Sequence, residues 1–191
     1  MEKIELQEII DACEQAKSDY LQLYRPLLGY EENIQFYRGI DDSMQEVLEE
    51  IEAKVGLAFP ADFLQLYLIS NGGKYFDVTL YSLSNDKEDV NGLYYKNMNQ
   101  SFRNEYDIPQ GTLVVGENSE NQYILIGVDD EGYYGCYTWS KEDKDVAVGY
   151  DYLLELLMLE IDYHTGAFDE LHNEEAWASF FVYIILNNKK T

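Results

Sequence analysis

Leu6, Ile9, Cys13, Ala16, Tyr20, Leu23 and Leu27 recur alternately three and four residues apart. That period predicts one amphipathic helix over 3–27, ended near Pro26 and Gly29. The stretch 29–42, with Tyr30, Phe36 and Tyr37, shows little periodicity and reads as a loop. Ser43 then caps a second helix, with Glu46 three residues on completing a capping box. Met44, Val47, Leu48, Ile51 and Val55 form its apolar face, and Gly56 ends it where a left-handed residue is wanted. Pro60 sits at the first position of the next helix, where its missing N–H is harmless. Phe63, Leu66, Tyr67 and Ser70 follow at helical spacing, and Asn71, Gly72 and Gly73 supply the residues that tolerate positive φ and stop it.

Beyond Gly73 the period shortens. Residues 75–83 are β-branched and aromatic and predict a strand; 84–91 is a polar loop. Segment 92–106 is ambiguous, with Leu93, Tyr94, Met98 and Phe102 on one face if it is helical. Runs at 112–116, 122–128 and 133–140 are separated by short turns and form an antiparallel meander, with a short edge strand at 146–148. Leu153, Leu154, Leu157, Met158 and Ile161 mark a helix over 150–161. A linker over 162–172 leads to a last helix over 173–188, capped by Asn173 and burying Trp177, Phe180, Phe181, Ile184 and Ile185. Helices, then a meander, then helices describe a single α+β domain over 1–191: a mostly antiparallel, twisted sheet flanked by helices, with extra helices at both ends of a core at about 43–160.

Charge narrows the function. The 37 acidic and 13 basic residues leave a net −24, which argues against binding to nucleic-acid phosphates or an anionic membrane. Either the acids keep the surface solvated, or they steer a basic partner. Two cysteines, Cys13 and Cys136, fall in a predicted helix and strand, so buried thiols and a reducing cytoplasm are expected. The start lacks the pattern of a signal peptide, and the longest apolar run, from Phe180 to Leu186, is too short to span a bilayer.

Catalytic patterns are sparse. The two histidines, His164 and His172, lie in the predicted linker amid Asp162, Asp169 and Glu170, without a metal-ligand spacing such as HExxH. An EF-hand register around Gly92 places Lys87 and Met98 where carboxylates belong, and fails. No phosphate-binding glycine loop is present, and no carboxylate pair stands out among so many acids. No catalytic residue, metal or cofactor is therefore expected.

The acidic helix ending in Val55-Gly56-Leu57, then Phe59-Pro60-Ala61-Asp62-Phe63, then Asn71-Gly72-Gly73, resembles the signature of the SUKH superfamily. Gly116-Glu117-Asn118, the strand after it and the run from Gly135 to Trp139 continue the resemblance, over roughly 43–160. It implies a binding protein: a bacterial immunity protein that plugs the catalytic domain of a cognate toxin, possible nucleases with basic clefts among them, or a regulatory scaffold of the cell-wall-synthesis type. A different class, a metal-dependent hydrolase using the region from His164 to His172, is the further alternative, and a nucleic-acid mimic shares the charge argument. Expected contact residues for a basic protein partner lie in loops: Asp86, Glu88 and Asp89; Asp129, Asp130 and Glu131; Glu142, Asp143 and Asp145. Tyr133 and Tyr134 join them, because tyrosine offers apolar area with a polar tip. Either terminal apolar stripe would suit a homodimer surface, so a monomer or a homodimer is expected.

Overall fold

The computed structural model describes residues 1–128 and 132–167; the expected helix over 173–188 and the acids Asp129, Asp130 and Glu131 lie outside the described residues. Eight strands form one sheet in chain order, each antiparallel to the next. They are β1 (Lys3–Ile4), β2 (Ile34–Arg38), β3 (Ser70–Tyr75), β4 (Val78–Leu80), β5 (Leu113–Asn118), β6 (Gln122–Val128), β7 (Tyr134–Ser140) and β8 (Val146–Tyr150). The helices are α1 (Leu6–Ala16), α2 (Leu21–Tyr24), α3 (Gln45–Val55), α4 (Ala61–Ile69), α5 (Leu93–Met98), α6 (Gln100–Glu105) and α7 (Leu153–Thr165). The α+β architecture with its meander is as the sequence predicts.

The N-terminal helix is not continuous. Its first residues pair as β1, α1 closes on Lys17 in the left-handed region, and α2 restarts after the polar Ser18 and Asp19. The apolar stripe survives the break, since Leu6, Ile9, Cys13, Leu23 and Leu27 are all buried. Periodicity therefore reports the inward face without guaranteeing one rod. The loop over 29–42 contains β2, whose Phe36 is buried against β3 while its neighbours alternate outward. Asp41, not Ser43, caps the turn before α3: its carboxylate accepts from the Ser43 amide at 2.9 Å. Gly56 does end α3, at φ 79°.

Asn71, Gly72 and Gly73 do not stop a helix. Helix α4 ends at Ile69, and the three residues run inside β3. A Cβ on Gly73 would come within 2.7 Å of the Gln35 oxygen and the Phe36 ring, so the glycine lets β2 close onto β3. The Asn71 amide donates to the Leu83 carbonyl at 2.7 Å and accepts from the Leu83 amide at 2.8 Å. It substitutes for a strand where β4 has already ended. Asn97, fully buried on α5, does the same for Val114: it donates to that residue's carbonyl and accepts from its amide, both at 2.9 Å.

Cross-strand register assigns the two faces. Phe36, Gly73, Leu80, Gly116, Ile124 and Thr138 share one face, over which α2 and α7 pack; Phe36 meets Tyr24 and Tyr75 edge to face at its centre. Thr79, Glu117, Tyr123 and Trp139 share the other, covered by α5 and α6 through Asn97, Phe102 and Tyr106. The ambiguous segment 92–106 is thus two short helices, divided at Asn99, whose side chain caps α6. Trp139 is anchored by its indole N–H donating to the Tyr106 carbonyl at 3.0 Å.

Candidate functional site

The acidic segments 86–89 and 142–145 do not meet. In a sequential meander alternate turns emerge at opposite ends of the sheet. The turn holding Glu142, Asp143 and Asp145 lies beside the β5–β6 turn, where the Lys141 amide donates to the Asn121 carbonyl. The loop with Asp86, Glu88 and Asp89 leaves β4 toward the opposite end, where Leu113 of β5 pairs with Ile126. Asp86 and Glu88 are exposed and Asp89 is half-buried; the Asp86 and Asp89 carboxylates each accept from a backbone amide two residues on. Asp143 likewise accepts from the Ser140 hydroxyl. Tyr133 is 69% exposed, but the Tyr134 hydroxyl donates to the Ala58 carbonyl at 3.0 Å and ties β7 to the α3–α4 connection.

One acidic surface is assembled by contact. Lys87 reaches the Glu50 carboxylate of α3 at 2.6 and 2.7 Å, and the Tyr94 hydroxyl donates to the same group at 2.9 Å. These bonds hold the Glu50 carboxyl below its ordinary range, the Lys87 hydrogen bond first. They also lay the loop carrying Asp86 and Glu88 against α3, whose Glu46 and Glu49 are exposed. The helix acids escaped the sequence reading because they sit in a regular amphipathic pattern, where an exposed glutamate carries no signal.

A second charged group lies at the other end, under α7. His164 is not in a linker but in the last turn of α7, where Asp77 and Glu160 flank it; Asp169, Glu170 and His172 lie outside the described residues. Its Nε2 lies 3.3 Å from Asp77 Oδ2 and 3.3 Å from Glu160 Oε1. Asp77 occupies the β3–β4 turn. There Phe76 adopts φ 52° and stacks on the imidazole with ring centres 4.4 Å apart. The Asp77 amide donates to Glu160 Oε1 at 2.7 Å, and the Asp77 carbonyl accepts from Ser119. Burial raises the Glu160 carboxyl above its usual range and Asp77 adds to the shift, against the Asp77 amide and His164. A cleft of about 340 Å³ opens beside the group, lined by Asp77, Asn118, Glu120, Glu160 and Tyr163. Glu160 and His164 are four residues apart on one helix, a signal the sequence does carry; Asp77 arrives from 83 residues earlier.

The two cysteines are buried free thiols, and burial raises both pKa values, so neither is a poised nucleophile. Among the described residues no helix is long and apolar enough to cross a membrane. No curated protein sequence matches the chain. The sequence pattern of one family does match, over residues 44–158, which is more than half of the chain and runs from α3 into the first half of α7. The chain belongs to the SMI1 / KNR4 family (SUKH-1), a family of immunity and cell-wall-synthesis-related proteins that are generally not enzymes.

Proposed function

We propose that this protein is a bacterial immunity protein that binds a cognate toxin domain and blocks it through an acidic surface. The observation that carries this reading is the joining of α3 to the 84–92 loop by Lys87 and Glu50, which brings a loop with exposed Asp86 and Glu88 against a helix with exposed Glu46 and Glu49. The partner is a basic protein domain, with a nuclease the best chemical fit, because its substrate-binding cations present the complementary charge. Steering of this kind acts mainly on association rate and weakens with salt.

The test is co-expression with the C-terminal domain of a large secreted protein encoded beside this gene, scored by growth. Rescue is expected, and reversal of Glu46, Glu49, Asp86 and Glu88 to lysine should abolish it, with association slowed roughly ten- to a hundredfold at low salt. Reversal of Glu142, Asp143 and Asp145, at the far end of the sheet, should leave rescue intact; the opposite pattern moves the contact to that end. Reversing Asp129, Asp130 and Glu131 asks the same of the β6–β7 connection. Absence of any toxicity to rescue favours the regulatory scaffold.

A further inference from the structure

We propose that Asp77, Glu160 and His164 form a binding site for a divalent first-row transition ion, of the Zn²⁺ or Mn²⁺ class, with its open coordination positions facing the cleft beside α7. The three donor atoms lie within 4.8 Å of one another. Both carboxylate oxygens stand 3.3 Å from the same Nε2. Metal–ligand bonds of about 2.0–2.1 Å at tetrahedral angles put neighbouring donors about 3.3–3.4 Å apart, so both measured edges are those of a coordination polyhedron. An imidazolium ion pair looks different, with N–H···O aligned at about 2.7–2.9 Å. Here Nε2 is shielded from solvent, and among the described residues it forms no hydrogen bond. A buried ring nitrogen set between two carboxylate oxygens is placed as a metal ligand would be.

The surroundings hold the three side chains in place. Phe76, a bulky residue in the left-handed region, fixes the ring plane from below, and both backbone polar groups of Asp77 are engaged. Such outer contacts orient ligands before the ion arrives. The cleft adds Glu120 and the carboxamide of Asn118, and among the described residues neither Lys nor Arg lines it. Imidazole beside two carboxylates favours Zn²⁺, Mn²⁺, Fe²⁺ or Co²⁺ over Ca²⁺ and Mg²⁺, which take oxygen shells. Asp77 lies inside the span that matches the family and the other two ligands just beyond it. The site stands at the opposite sheet end from the proposed toxin contact and does not depend on it.

The experiment uses the full chain, stripped with chelator and titrated with Co²⁺ in physiological salt, followed by visible absorption and calorimetry. One saturable Co²⁺ per chain is expected, with d–d bands of low coordination number that Zn²⁺ displaces. D77N and H164Q should each weaken uptake tenfold or more while keeping the wild-type circular dichroism. H172A and D86N, the controls for the second histidine and for general acidity, should bind as wild type. Non-saturating uptake, or unchanged affinity in either D77N or H164Q, overturns the site. Growth rescue that persists in H164Q separates it from the immunity reading.

Discussion

On the sheet face covered by α5 and α6, cations are few and each is answered; at the margin of the face covered by α7, two carboxylates share a single imidazole. Lys141 reaches Glu117 at 2.7 Å and lies 4.2 Å from the centre of the Tyr123 ring. Lys96 stands over Phe102 at 4.7 Å and Tyr81 at 5.1 Å, and burial holds its ammonium below the ordinary value in spite of Glu117. Arg103 donates to the Pro109 and Thr112 carbonyls. Three of 13 cations in a chain of charge −24 are thus committed to one face. Burying a charge is tolerable where hydrogen bonds, an opposite charge or a π face replaces water. The contrast is one of supply: on the α5/α6 face a carboxylate, a carbonyl or a π face meets each of these three cations, although among the described residues Arg103 Nη1 and the Tyr81 hydroxyl stay buried without a hydrogen bond, whereas under α7 two carboxylates meet one imidazole.

If that contrast is right, the paired polar groups of the α5/α6 face are structural and their removal is expensive. Asn97→Leu is the largest test. It leaves the Val114 amide and carbonyl buried without partners, and also strips the Leu93 carbonyl of one donor. A loss of about 2–4 kcal/mol is expected, read as a lower urea midpoint at unchanged slope. His164→Gln, without metal, should move the melting temperature by less than about 2 °C. Near-equal effects of the two substitutions would dissolve the distinction between the faces.

How much of this was written legibly in the chain depends on the range of each interaction. The meander from β5 to β8 was readable because short turns and β-rich runs are local, and so was Gly56 at the end of α3. The three- and four-residue spacing of the N-terminal stripe identified buried residues but hid the break at Lys17, since a stripe continues across a restart. β2 was invisible because Gln35 and Tyr37 blur its alternation and only β3 makes it a strand. Asn71 and the two glycines read as a helix stop because their dihedral freedom was legible, while the close approach of Gln35, Phe36 and Leu83 that uses it was not. The same holds for the sites: Glu160 and His164 share a helix face, but Asp77 joins them only through the β3–β4 turn. The acids of the loops were all visible, yet which of them lie together is set by the alternation of sheet ends.

A smaller effect is expected from Lys141→Met, which removes the cation paired with Glu117 on the α5/α6 face. Burial raises the Glu117 carboxyl, but the Lys141 hydrogen bond and charge outweigh it and leave a net value below the ordinary 4.5. A depressed carboxylate contributes stability that is present above its unfolded value and lost as pH falls through the folded one. The substitution should therefore cost about 1–2 kcal/mol at pH 7, and the gap to wild type should shrink on titration below pH 4.5, as thermal melts across that range would show. A gap independent of pH would mean that Lys141 acts by packing over Tyr123 alone.

The smallest effect has the opposite sign, which makes it the sharpest. Glu160 is raised, first by burial and then by Asp77, so ionising it in the metal-free protein is unfavourable. A raised carboxyl penalises folding at pH values above its folded pKa, and the penalty vanishes below the unfolded value of 4.5. Glu160→Gln keeps an oxygen for the Asp77 amide and removes the charge. It should raise the melting temperature of the stripped protein by about 1–2 °C at pH 8, and leave it unchanged at pH 4. With excess Zn²⁺ the order should invert, because wild type gains the stabilisation of a bound ion and the variant does not. A carboxylate that served only to pin α7 to the β3–β4 turn would give a loss at pH 8 with or without metal. The crossing of the two curves therefore distinguishes a group held in reserve for a cation from one whose work is finished when the chain has folded.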